Sequence, residues 1–219
     1  DLSDVPVVKE AFDGANAGVT MDGKVYGIPF TQEGYGFIYN ATILNKAGIN
    51  PDEITSYAKL EEAVKKLDAK KAELGLEAVF AVAGKETWVT GLHFTNAALS
   101  PEFENVFNAF NAKKIDFKYS EGMKKLFDLQ INYAKKPVNS VDYSTQVEKL
   151  FSLGKVAFMQ QGNWTLGAIK GIDEELAANI GFLPMPIVGA KEDSIPVGIP
   201  MYWTVNSTKD EKTQAAAKA

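Results

Sequence analysis

The sequence predicts an α/β layered fold with helices on both faces of a mostly parallel sheet. Two observations carry this. Short apolar runs, bounded by glycine, proline or amide residues, alternate along the chain with amphipathic helical segments. The 219 residues are 46% apolar and 23% charged, the proportions of a chain that buries a core. No internal repeat is visible.

The elements follow in order. Asp22-Gly23 marks a tight hairpin turn, and a short strand with Val25, Tyr26 and Ile28 follows it. Pro29 interrupts any central strand there, so the chain changes direction or crosses between domains. A buried strand is expected from Phe37 to Asn40, then a short helix stopped by Gly48, with Pro51 beyond it. Residues 55–74 form the clearest helix. Tyr57, Leu60, Val64, Leu67 and Leu74 share one face, Thr55 or Ser56 caps the start, and Gly75 follows the end. An apolar strand, 77–83, ends at Gly84, and a loop with Trp88 enters the next helix. A helix over 120–136 turns Met123, Phe127, Ile131 and Ala134 inward, with Ser120 near its cap. Another over 144–153 buries Val147, Leu150 and Phe151 and stops at Gly154. A strand over 155–159, a turn over 160–164, a short helix, a strand near 179–186 and a last strand after Pro196 complete the pattern. Residues 208–219 begin a further helix. Phe107, Phe110 and Phe127 read as core.

Composition removes whole classes of chemistry. Lysine supplies all 23 basic residues against 28 acidic ones, a net charge of −5. A mildly acidic chain without arginine is a poor partner for nucleic acid, where guanidinium contacts carry much of the readout. With no cysteine there are no disulfides, thiolate metal sites or cysteine nucleophiles. The single histidine, His93, between Leu92 and Phe94, reads as a packed structural residue rather than a catalytic one. No uncharged run exceeds 15 residues, too short for a spanning helix. Phosphate-binding glycine patterns, zinc-protease and calcium-loop motifs are missing from the sequence. No metal or cofactor is therefore expected. Glycosidase chemistry needs paired carboxylates, and only Glu33 stands near a strand end.

Aromatic and amide side chains do stand at element ends. Glu33 and Tyr35 follow the Pro29 crossover, Trp88 follows the 77–83 strand, and Asn163 and Trp164 follow the 155–159 strand. Tyr202 and Trp203 lie beside a second candidate crossover at Gly198-Ile199-Pro200. Ligands of open α/β sheets bind beyond strand ends. Flat aromatic faces ringed by amides and carboxylates suit sugars, whose C–H faces stack while their hydroxyls take hydrogen bonds. These seven residues are the candidate ligand-binding set.

At this point several motifs come into register. GKVYGIPF, EGYGFIYN and ILNKAGINP are followed by a capped amphipathic helix. Then come Phe151, Gly154, Lys155, Ala157 and Met159, then Gly162 and Trp164, then IGFLPMPIVG. This order resembles the family-1 extracellular solute-binding proteins of ABC importers, the maltose-binding-protein-like group. The resemblance implies a periplasmic-binding-protein-like (type II) lobe plus remnants of the other lobe. Residues 1–30 would be a remnant of the first lobe, 31–199 a largely complete second lobe, and 200–219 a return segment to the first. Both chain ends read as internal, so a central fragment is expected. It further implies a non-catalytic protein that closes on a carbohydrate, an oligosaccharide foremost, and delivers it to ABC permease subunits. Such a protein is expected as a monomer at the extracellular face or in the periplasm, anchored through a lipoprotein leader outside this chain. In that reading Trp164 is the stacking platform. Glu33, Tyr35 and Asn163 meet hydroxyls, and Trp88 and Trp203 are further walls. Other solutes of the same fold, a polyamine or an iron complex, stay open, as do a glycoside hydrolase and a plain interaction module.

Overall fold

The computed structural model describes residues 1–219, except the side chains of residues 106 and 107. In chain order the strands are β1 (Thr20–Met21), β2 (Lys24–Val25), β3 (Ile28–Pro29), β4 (Glu33–Asn40), β5 (Phe80–Ala81), β6 (Phe158–Gly162), β7 (Ile180–Leu183), β8 (Val197–Gly198) and β9 (Tyr202–Trp203). The α-helices are α1 (Pro6–Lys9), α2 (Ala41–Ala47), α3 (Tyr57–Ala69), α4 (Phe94–Phe103), α5 (Val106–Asn111), α6 (Ser120–Asn132), α7 (Leu166–Ile172), α8 (Glu174–Ala178) and α9 (Glu211–Lys218). The residues divide into two compact units, one of Asp1–Glu33 with Val197–Ala219, the other of Gly34–Pro196.

In the smaller unit, β1 and β2 form an antiparallel hairpin. Asp22 and Gly23 both take positive φ, 49° and 73°, as a two-residue hairpin turn requires. β3 pairs antiparallel with β9, a two-stranded ribbon that tolerates Pro29. Leu2, Val5 and Val8 form the unit's small core with Val25, Ile28 and Val205. Asp210 caps α9 by accepting from the Thr213 N–H at 3.0 Å.

The larger unit is built on a sheet with strand order β5-β6-β4-β7. Its residues alternate between two cores. Phe37, Phe80 and Phe158 face one side and pack ring on ring, Phe80 lying 5.5 Å from Phe37 and 5.4 Å from Phe158. Leu60, Ala63, Val64 and Leu67 of α3 cover that side, with Phe94 of α4 and Leu126 and Leu129 of α6. Ile38, Ala81 and Met159 face the other side, under Val147, Leu150 and Phe151 and under Ile169 of α7. Helices thus cover both faces, as the alternating pattern predicts.

The expectation of a mostly parallel sheet is corrected. β5 and β6 pair parallel, but the central strand β4 runs against both of its neighbours β6 and β7, so two of these three pairings are antiparallel. A helical connection can return the chain to either end of a sheet, so strand–helix alternation does not encode strand direction. β6 also starts three residues later than expected and runs through Gln160 and Gln161, which the sequence reading places in a turn. Phe110 is 87% exposed and is not core, and Phe127, touching Phe94 at 5.6 Å, is 39% exposed. Phe107 lies outside the described residues. Ser56 does cap α3, accepting from Lys59 N–H at 3.4 Å. Ser120 does not cap α6. At the 145–151 helix the capping oxygen belongs to Asp142, which accepts from Thr145 N–H at 2.9 Å.

Candidate ligand-binding site

Strand register brings several of the expected residues to one edge of the larger unit's sheet. Tyr35 sits opposite Gly162, so the amino end of β4 lies beside the carboxyl end of β6. The parallel β5 ends at the same edge. The chain leaving β5 reaches Trp88 at the start of a π-helical turn, Trp88–His93. The chain leaving β6 forms a 3₁₀ turn, Asn163–Thr165, that carries Trp164. A second π-helical segment, Thr145–Phe151, begins just after Tyr143. Both π-helical segments therefore flank the same edge, where such irregular turns often serve function.

The side chains form one aromatic cluster. His93 stacks on Tyr35 with centroids 4.1 Å apart and planes 13° apart. It also meets Trp164 at 5.3 Å and Trp88 at 5.4 Å. Trp88 lies 6.1 Å from Trp164, their planes inclined by 59°, and 6.0 Å from Tyr143. Gly162 is required beneath Trp164, because a β-carbon there would enter the indole ring.

Polar partners hold the rings. Trp88 donates its indole N–H to Glu86 at 3.1 Å, and the other Glu86 oxygen accepts from the Tyr143 N–H at 3.1 Å. Trp164 donates its indole N–H to Gln161 at 3.0 Å. Asn96 donates its amide to the Tyr35 hydroxyl oxygen. Asn163 accepts from Gly34 N–H at 3.2 Å, next in sequence to Glu33, which opens β4. Both indole N–H groups are thus committed to the protein, and the indoles are left to act through their faces.

Burial shifts the cluster's titratable rings toward their neutral forms. Burial lowers the pKa of His93 and so favours the neutral imidazole. Burial raises Tyr35, against a smaller opposing effect of the Asn96 hydrogen bond. Burial also raises Tyr143, helped by the charge of Glu148. Among the described residues no group of three or more His, Cys, Asp or Glu is placed to hold a metal ion. No helix among them is long and apolar enough to cross a membrane.

Of the seven residues expected from sequence, Tyr35, Trp88 and Trp164 meet in the cluster, with Asn163 at the same strand ends, while Glu33 is the last residue of the smaller unit's first segment. Tyr202 and Trp203 belong to the smaller unit. There Tyr202 donates its hydroxyl to the Ala15 carbonyl at 3.0 Å and packs over Gly18 and Gly27. Trp203 is 62% exposed and touches Phe30 edge-on at 5.5 Å. Sequence reasoning missed His93, Glu86, Tyr143, Asn96 and Gln161. His93 reads as structural because a lone histidine among apolar residues carries no local sign of the rings that fold around it.

Residues 1–219 match the family described as bacterial extracellular solute-binding protein. The chain is similar to the melibiose/raffinose/stachyose-binding protein MelE of Bacillus subtilis (strain 168), at 28% identity over 212 residues, 90% of this chain and 46% of that protein. It is 25% identical over 207 residues to an ABC transporter extracellular-binding protein of Pyrococcus horikoshii, covering 87% of this chain and 43% of that one. Among solved structures, RafE in complex with raffinose gives a TM-score of 0.75 at 24% identity, covering 99% of this chain and 56% of that one. A chitin oligosaccharide binding protein gives 0.75 at 22% identity, covering 99% and 54%. The chain spans about half the length of the curated relatives it matches. The fold is periplasmic-binding-protein-like, with a mixed sheet. This chain belongs to the bacterial extracellular solute-binding protein family.

Proposed function

We propose that this protein is the solute-capturing, non-catalytic component of an ABC import system and that its solute is a carbohydrate, most simply an oligosaccharide. The observation that carries this is the cluster of Trp88 and Trp164 with both indole N–H groups tied inward. Ring faces that are oriented, uncharged and stripped of their own donors suit the C–H faces of a sugar. The amides and hydroxyls of Asn96, Tyr35 and Asn163 at the same edge suit its hydroxyl groups. A polyamine wants several carboxylates against the rings, whereas Glu86, the carboxylate that hydrogen-bonds within the cluster, already holds two protein N–H groups. The sugar ligands named for MelE, RafE and the chitin oligosaccharide binding protein support the same reading.

Residues 34–196 then belong to one lobe, and residues 1–33 and 197–219 to the other. Glu33, Tyr202 and Trp203 are further ligand contacts in this proposal, with Trp203 as an added stacking face. Ligand shifts the protein toward a closed form by its differential affinity, and a membrane permease receives that form. A lipoprotein anchor at the outer face of the membrane belongs to the same proposal.

Calorimetric titration of the protein with raffinose, stachyose, maltotriose, chitotriose, spermidine and ferric citrate tests it. One sugar class binds, is recovered intact, and stabilises the protein by about 2.7 kcal/mol at a hundred times its Kd. Binding of spermidine or ferric citrate alone, or hydrolysis of the sugar, overturns the reading.

A further inference from the structure

We propose that Gln146 and Gln161 are positioning residues for the Trp164 platform, acting as a directional amide relay from the sheet to the indole. The proposal rests on the carbohydrate-binding reading for its consequence, but not for its geometry. Gln146 is fully buried on the second π-helical segment, and Gln161 is 1% exposed on β6. The Gln146 amide donates to the Ala81 carbonyl at 2.8 Å and leans toward the Gln160 carbonyl at 3.4 Å. Its oxygen accepts from the Gln161 amide at 2.7 Å, and the Gln161 oxygen accepts from the Trp164 indole at 3.0 Å.

Both ends of this chain have fixed polarity. An indole N–H only donates, so Gln161 must present its oxygen to it. The Gln161 NH₂ then faces Gln146, which must present its own oxygen. The Gln146 NH₂ is left for carbonyls, which only accept. No member can flip without placing like groups together in a buried site, where an unmatched polar atom is costly. The relay therefore has one arrangement, and it fixes the rotation of the Trp164 ring above Gly162. It also accounts for Gln161 in a buried strand that local sequence rules read as a turn, whereas the neighbouring Gln160 amide donates to the Val89 carbonyl at 2.8 Å.

Gln161→Met and Gln146→Met test this, with Gln130→Met, a substitution of another buried glutamine on α6, as the control. The ligand-free readout is the indole N–H signal of Trp164 by ¹⁵N NMR. Both relay variants move it and speed its hydrogen exchange, although Gln146 is linked to the indole through Gln161, and the control does neither. With raffinose as probe, or whichever panel sugar binds the unsubstituted protein, both relay variants weaken affinity about tenfold. An unmoved Trp164 signal in Gln146→Met overturns the relay, and so does unchanged affinity in both variants.

Should Gln146→Met fail to fold, exchange in the unsubstituted protein decides. The Trp164 indole proton exchanges about a hundredfold more slowly than that of exposed Trp203, and equal rates overturn the proposal. If no sugar binds but the relay variants still move the Trp164 signal, the functional reading fails and the positioning role stands.

Discussion

Trp164 and Trp203 are the same residue type at comparable places in the sequence, each just beyond a short apolar run, yet their surroundings differ. Trp164 follows a fully buried strand, packs on Gly162, meets two other rings and gives its N–H to a buried amide. Trp203 lies in a two-residue strand of a small ribbon, is mostly exposed and leans on one phenylalanine. The first ring has one orientation before any ligand arrives. Among the described residues no such hydrogen-bond relay stands behind the second. Under the proposed carbohydrate-binding reading, preorganisation of a stacking face, rather than its residue type, makes Trp164 the stronger platform of the two.

The widest gap between the two regions is in stability. Phe80→Ala removes the ring that joins Phe37 to Phe158 and destabilises by about 3–5 kcal/mol. Trp203→Ala changes stability by no more than about 0.5 kcal/mol. Urea unfolding of the two variants checks this, and equal losses break the comparison. Next comes Gly162→Ala, whose new methyl group enters the Trp164 ring. The indole must leave its place at a cost of about 1–3 kcal/mol, and the near-ultraviolet circular dichroism of the cluster changes. An unaltered spectrum at unaltered stability contradicts the packing described for Trp164.

Helix caps sharpen the account at smaller scale. Ser56→Ala removes a cap and costs about 1 kcal/mol, whereas Ser120→Ala, at a helix start without a side-chain cap, costs within about 0.5 kcal/mol. The smallest effect concerns pH. Burial holds His93 below its ordinary value of 6.5, so the unfolded chain takes up that proton first. The stability tied to the neutral ring is whole above pH 6.5 and is lost as pH falls from there through the folded value. Glu77, Asp142 and Asp210 are held below ordinary carboxylate values and titrate at lower pH. His93→Phe keeps a ring on Tyr35 and flattens the stability profile just below pH 6.5. An unchanged slope there refutes the assignment.

What was legible in the sequence was local. The stripe of Leu60, Val64 and Leu67 between Ser56 and Gly75, the Asp22-Gly23 turn, and the helix ending at Gly48 each carry their own signal within a few residues. Strand direction was not legible, because the helices between strands permit either return. Nor was the extent of β6. Gln160 and Gln161 look like turn residues until Val89 and Gln146, far along the chain, are seen to satisfy their amides. Tyr35, Trp88 and Trp164 could be singled out as residues at strand ends. Their meeting could not, since it depends on β4 lying beside β6 in one register. Glu86 and Tyr143 are joined across 57 residues by a hydrogen bond that no spacing rule marks.

Titration of Trp164→Ala, Trp203→Ala and the unsubstituted protein with the sugar that binds tests the central claim most directly. Loss of the preorganised stacking face at Trp164 weakens binding about 10- to 100-fold, equivalent to about 1.4–2.7 kcal/mol, and more than the loss at Trp203 does. Unchanged sugar affinity in Trp164→Ala would contradict the account.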